Sequence, residues 1–277
     1  QYLGKDMPPP PIGDWVGLYA DESERHDPRP RVGPIDEEVL HRARAGYYGC
    51  ITHVDHQIGR LLEALREYGV EDNTYVCFVS DHGEMLGDHH LFRKSVPYDG
   101  SARVPLILSG PPDSHLPEGE KRSEPVAELR DIMPTLLDCA GCSVPDSVDG
   151  HSLVPAARGA DGVGRPYLHG EHTVLGRSIQ WLTDGHEKYV WHSDTGHEQF
   201  FDLDEDPSEL HDRAAEAAYA DRVSTWRDRL VETLVEAGDE EGFTDGERLT
   251  PVDEAYPLLR PLRQKYADRL PDNWDCA

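Results

Sequence analysis

Fifteen consecutive residues hold the densest set of chemically useful side chains in the sequence: Ser80-Asp81-His82-Gly83-Glu84-Met85-Leu86-Gly87-Asp88-His89-His90-Leu91-Phe92-Arg93-Lys94. Asp81 offers a hard oxygen donor and His82 a nitrogen donor, adjacent in sequence, a pairing suited to a divalent cation. Gly83 is expected to let the backbone turn sharply behind them. Lys94 returns a fixed positive charge to the same loop, and an ammonium beside a cation site suits an anionic substrate group. On residue types alone a plainer reading stands beside this one: Asp81 capping a turn and His82 lying solvated in a loop.

The elements around this stretch decide where it sits. Val54, Ile58, Leu61, Leu62, Leu65 and Tyr68 recur at steps of three and four, which predicts an amphipathic helix from about Asp36 that Gly69 ends. Thr74 to Val79 is a short β-branched and aromatic run, apolar on both faces, and reads as a buried strand. It runs straight into Asp81, and open α/β sheets gather ligands outside the carboxyl ends of their strands. Val104 to Leu108 is a second strand, and Asp131 to Ala140 a helix stopped by Gly141. This order predicts an α/β fold with a central sheet covered by helices.

After about residue 160 the texture changes. Segments 178–183, 188–192 and 199–203 alternate and are separated by turn signals, predicting a small antiparallel sheet, followed by a charged helix over 208–237. The expected organisation is an extended loop over 1–35, an α/β core over 36–160, a sheet-and-helix subdomain over 161–240 and a tail over 241–277.

Composition narrows the partners. The 54 acidic against 27 basic side chains give a formal charge of −27, which repels nucleic-acid phosphates and anionic membranes, so neither is an expected partner. No run approaches the length of a transmembrane helix. Only 5 of the basic residues are Lys, a bias similar to proteins of salt-adapted microbes. Cys139-Ala140-Gly141-Cys142 has C-x-x-C spacing without a second pair, and its cysteines read as small packing residues at a helix end.

The pattern strand-S-D-H-G-E-x-L-G-D-H-x-L-F-x-K, followed by Ser101-Ala102-Arg103-Val104-Pro105-Leu106, resembles the second metal-site segment of the sulfatases, within the alkaline-phosphatase superfamily. Tyr47 to Asp55, Asp131 to Leu137 with Asp149-Gly150-His151, Thr183 to Trp191, and Phe201-Asp202-Leu203 resemble further parts of that family in the same order. The resemblance implies an alkaline-phosphatase-like sandwich, of which this is the C-terminal half. It implies that Asp81 and His82 complete a divalent metal site, usually calcium, with magnesium or manganese as alternatives. It implies that Lys94 contacts the sulfate as a catalytic and substrate-binding residue, and that His89 serves the substrate site from a second layer. His90 stands where a glycine is common, and Arg103 is expected to order the loop before its strand.

In that family the nucleophile is a formylglycine made from the first residue of C/S-x-P-x-R, and no such motif occurs in these 277 residues. The expectation is therefore a sulfuric ester hydrolase whose nucleophile and remaining metal carboxylates lie outside this chain, so that the chain alone is inactive. The expected substrate is a small sulfated sugar, aryl or choline-type ester. A phosphonate or phosphodiester hydrolase of the same superfamily is the alternative, and a non-catalytic interaction protein is a third. A homo-oligomer and the compartment, cytoplasmic or secreted, are left open.

Overall fold

The computed structural model describes residues 1–22, 33–117, 119, 126–160, 163–174, 177–239 and 242–252, with the side chains of 20–22, 174 and 177 left out. The chain divides into two compact units, Gln1–Pro166 and Tyr167–Ala277. Most of the tail expected over 241–277, including Cys276, lies outside the described residues.

In the first unit Asp36 opens a long helix, α1 (Glu37–Glu67), by accepting hydrogen bonds from the amides of Glu38 and Val39 at 2.9 and 3.2 Å. Gly69 closes it in the left-handed region at φ 65°, where a side chain would be strained. The strand β1 (Val76–Val79) pairs antiparallel with β2 (Leu106–Ser109), Phe78 opposite Ile107 and Val79 opposite Leu106. Between them lies a one-turn helix, α2 (Asp99–Ala102). Two further helices follow, α3 (Ile132–Cys139) and α4 (Val154–Ala157).

The helix, strand and loop order matches the reading of the sequence, but the burial does not. β1 is only half-buried, and Ile107 of β2 is 58% exposed. The apolar stripe of α1 also lies open, with Leu61 66% and Val54 47% exposed. The reason is geometric: β1 and β2 have only each other as strand partners among the described residues, so the sheet is too narrow for either strand to be covered. Cys142 is exposed rather than packed, because its amide closes the turn after α3 onto the carbonyl of Leu137 at 2.8 Å while Gly141 takes φ 68°.

Asp131, fully buried, ties the end of this unit together. Its carboxylate accepts from both Arg165 guanidinium nitrogens at 2.6 and 2.8 Å, from the His151 amide at 2.8 Å and from the Glu128 amide at 2.9 Å. The Gly150 backbone lies so close that a Cβ there would sit 1.9 Å from the Arg130 carbonyl oxygen. The Asp131 and Asp149-Gly150-His151 segments are therefore two sides of one knot.

The second unit is an antiparallel meander, β3 (Leu168–Val174), β4 (Arg177–Thr183), β5 (Glu187–His192) and β6 (Glu198–Asp202), joined in sequence order. Leu182, Tyr189, Trp191 and Phe200 on one face pack against α5 (Ala220–Ala237) through Val223, Trp226, Leu230 and Leu234, a stripe at helical spacing. Each such fully buried large side chain contributes about 1.5–3 kcal/mol. β3 was not legible as a strand, because His169, Glu171 and Thr173 face the sheet with polar groups: His169 meets Gln180 at 2.7 Å and Thr173 meets Ser178 at 2.9 Å. The last helix begins at Ala220 rather than 208, since Asp206 and Asp212 hold the amides of His211 and Ala214 in local turns, and Asp212 also accepts from the Phe200 amide of β6.

Candidate active site

β1 ends directly in the chemical loop. The Ser80 hydroxyl donates to the carbonyl of His82 at 2.8 Å, and the His82 amide donates to Asp81 Oδ1 at 3.0 Å. His82 Nδ1 lies 2.8 Å from the Gly83 carbonyl oxygen, which can only accept, so Nδ1 carries the proton. In the neutral ring the lone pair is then on Nε2, which lies 3.6 Å from Asp81 Oδ2. A ring fixed through one nitrogen, with the other turned toward a carboxylate, is the arrangement a metal-ligating histidine requires. Both side chains reach solvent, Asp81 at 85% and His82 at 40% exposure.

Gly83 does not serve the turn expected of it, as its φ is not positive. It is needed for close approach: its amide donates to the Ser101 carbonyl at 2.8 Å, and a Cβ would fall 2.1 Å from the Gly100 carbonyl oxygen. The left-handed backbone appears further on and mostly at residues with side chains. Leu86, His89, His90, Arg93 and Ser95 have φ between 50° and 82°. Each costs about 1–2 kcal/mol relative to ordinary backbone, and such strain persists only where the surroundings over-determine it. A positive φ of 59° at His90 is the conformation a glycine adopts without cost.

Three groups hold this loop. Glu84 reaches across its mouth, accepting from the amides of Leu86 at 3.1 Å and Arg93 at 2.5 Å. The Met85 amide donates to the Arg93 carbonyl at 2.8 Å and the Gly87 amide to the Leu91 carbonyl at 2.9 Å, folding the strand-like arms together over buried Met85 and Leu91. Arg44, buried on α1, donates to the Leu86 carbonyl at 3.3 Å and lies 3.5 Å from Asp88 Oδ1. Burial pushes the Asp88 carboxyl up, and Arg44 offsets only part of that. Glu84 and Asp88 belong to the motif but carried no bracing role in the sequence reading, and Arg44 was not singled out at all, since a loop-bracing role leaves no spacing signature.

The structure brings Asp81 and His82 together as a pair. Lys94 directly follows Arg93, whose backbone is bonded to Met85 and Glu84, so the loop returns it toward its own start with the side chain exposed. His89 lies elsewhere. It is 3% exposed, its amide donates to the Pro11 carbonyl at 2.7 Å, and its Nδ1 accepts from the Gly13 amide at 3.0 Å. Arg103 pairs with Asp99 at 3.3 Å on the surface, bracing α2 just before β2.

One oxygen and one nitrogen donor, oriented as described, fit a share of a divalent cation site. Among the described residues no group of three or more His, Cys, Asp or Glu side chains gathers as a complete one. No helix among them is long and apolar enough to cross a membrane.

A narrow antiparallel strand pair delivering a metal-type pair into a lysine-bearing loop, followed in sequence by a meander under one helix, marks the class, and comparison with known proteins agrees. The sulfatase family model matches residues 8–142, and the model described as N-sulphoglucosamine sulphohydrolase, C-terminal, matches residues 87–236. The chain belongs to the sulfatase family, with the alkaline-phosphatase-like fold.

It is 45% identical over 93% of its length to an arylsulfatase of Clostridium perfringens, covering 52% of that protein. It is 34% identical over 70% of its length to the choline-sulfatase of Rhizobium meliloti, covering 38% of it. Among solved structures it is similar to a phosphonate monoester hydrolase of Agrobacterium radiobacter, with TM-score 0.64 and 31% identity over 78% of this chain and 46% of that one. The chain spans about half the length of the curated arylsulfatase it matches.

Proposed function

We propose that these residues form the part of a sulfuric ester hydrolase that completes its metal site and grips the sulfate. The observation that carries this reading is the Asp81–His82 pair, with Nδ1 committed to the Gly83 carbonyl and Nε2 left as a donor 3.6 Å from the carboxylate. Family membership and the 45% identity to an arylsulfatase support it.

In this reading Asp81 and His82 hold a divalent cation, calcium by family resemblance, with magnesium or manganese as alternatives. Such a cation polarises the sulfate oxygens and neutralises charge that develops on them. The ammonium of Lys94 binds the sulfate and opposes the same developing charge from a fixed position. The hydrogen bond from His82 to Gly83 keeps the ring in the tautomer that can ligate. The nucleophile, a formylglycine in this family, and the remaining carboxylate ligands come from outside these 277 residues, which hold no C/S-x-P-x-R sequence. Alone, the chain is expected to be inactive and to bind metal weakly. The open faces of α1, β1 and β2 are where the rest of such a fold would pack.

The substrate is a small sulfated compound of the aryl, choline or sugar type, since named relatives include an arylsulfatase and a choline-sulfatase. A second reading is a phosphonate monoesterase, favoured by the similarity to the Agrobacterium enzyme. Intact protein carrying this chain should be assayed with matched aryl sulfate and aryl phosphonate esters. A higher kcat/KM for the sulfate is expected; a phosphonate preference of tenfold or more would hand the case to the second reading.

A further inference from the structure

Behind the strained loop lies an aromatic stack that the proposed chemistry does not itself use. The segment Pro8 to Trp15 crosses the back of the loop as a strap, and His89 fastens to it twice: the His89 amide donates to the Pro11 carbonyl at 2.7 Å, and Nδ1 accepts from the Gly13 amide at 3.0 Å. The His89 ring lies 4.6 Å from that of Trp15 and 5.8 Å from that of Tyr98, and Trp15 stacks on Tyr98 at 4.1 Å with 24° between planes. All three residues are buried, and the Tyr98 hydroxyl meets that of Tyr19 at 3.0 Å. Gly13 has to lack a side chain here, since a Cβ would lie 2.4 Å from Trp15 Nε1.

Each ring of the stack leads to a different part of the site. His89 has φ 54° and belongs to the left-handed run that ends around Lys94. Tyr98 precedes α2 and its carbonyl accepts from the Ser101 amide at 2.9 Å; the Ser101 carbonyl in turn accepts from Gly83, next to His82. One stack thus underlies both the arm bearing Lys94 and the backbone against which the Asp81–His82 pair is set.

We propose that His89 is a positioning residue: by accepting from Gly13 and wedging against Trp15 and Tyr98, it locks the strap to the loop and fixes where Lys94 stands relative to Asp81 and His82. The inference rests on the sulfatase reading for its functional consequence, though not for the clamp itself. His89 acts through backbone and packing rather than by touching substrate. A buried acceptor at the Nδ1 position does this, so the side chain can be exchanged for one that keeps that atom and not for one that moves it.

The test uses three variants of the intact protein. His89→Asn places an oxygen near Nδ1, His89→Gln places one near Nε2, and His89→Phe keeps a ring with no acceptor. Hydrogen exchange at the Gly13 amide should quicken about tenfold in His89→Phe and His89→Gln, the size of one lost hydrogen bond, and stay near wild type in His89→Asn. With a sulfate ester, kcat should fall about ten- to a hundredfold in the first two, more than KM rises, with His89→Asn restoring most of it.

If His89→Phe fails to fold, the Asn and Gln pair still decides the matter. Wild-type exchange in His89→Gln would overturn the clamp, and faster exchange with kcat kept within about twofold would overturn the positioning role. A wild-type protein inert to sulfate esters, with the exchange difference intact, would leave the clamp standing and sink the sulfatase reading instead.

Discussion

Replacing Asp131 by Ala should be among the most damaging single changes in the first unit, although Asp131 is no part of the candidate site. Its carboxylate is fully buried and accepts four hydrogen bonds, two from Arg165 and one each from the amides of His151 and Glu128. Removing it leaves two amides without an acceptor, at about 1–3 kcal/mol each. Arg165 keeps Glu128 at 3.1 Å, so its charge is not wholly stranded and the cost stays near the usual range for a broken buried pair, about 3–5 kcal/mol.

Burial raises the Asp131 carboxyl pKa, but the hydrogen bonds from Arg165, His151 and Glu128 outweigh it and hold the group below its ordinary value. A depressed pKa contributes stability that is present above the unfolded value of about 4 and lost as pH falls through the lower folded value. Urea unfolding of the intact protein at pH 7 should therefore show the full loss, and the gap between variant and wild type should close at pH below about 4. A loss under about 1 kcal/mol at neutral pH, or a gap unchanged by acid, would refute the reasoning.

Three further outcomes follow from local geometry. Gly83→Ala should destabilise by at least about 1–3 kcal/mol, the usual cost of overpacking, because its Cβ falls 2.1 Å from the Gly100 carbonyl oxygen; a thermal melt matching wild type would contradict this. Lys188 and Glu209 are each 2% exposed and 2.6 Å apart, so Lys188→Met should cost about 3–5 kcal/mol. The Lys188→Met, Glu209→Leu double variant should recover much of that loss, and a double-mutant cycle shows whether it does. Calcium should raise the melting temperature of the intact protein, and Asp81→Ala should shrink that rise; a melt indifferent to both calcium and chelator would argue against the metal pair.

Much of the fold was legible because its signals are local. The start of α1 near Asp36, its stop at Gly69 and the alternation in β4, β5 and β6 are each set by neighbours in sequence. Burial was not, because covering an apolar face depends on elements far away: the Leu61 stripe and the Ile107 strand face read as core and stand exposed. β3 escaped notice because its inward side chains hydrogen bond across the sheet instead of packing as apolar ones.

In the candidate site, Asp81, His82 and Lys94 drew attention by type and spacing. The groups that hold them in place did not. Glu84 braces the loop through backbone amides, Arg44 arrives from a helix forty residues earlier, and the Gly13 contact to His89 spans 76 positions. Gly83 was picked out correctly as special but for the wrong cause, since sequence cannot tell a sharp turn from a close backbone approach.

The central claim is that Lys94 grips the sulfate beside a cation held by Asp81 and His82. Its most direct test is kcat/KM for an aryl sulfate ester in the intact protein, wild type against Lys94→Ala, with both shown to melt alike. The expected result is a loss of about a hundredfold or more, the scale of removing one preorganised charge from a transition state. A Lys94→Ala enzyme that hydrolyses the ester at close to the wild-type rate would contradict the account.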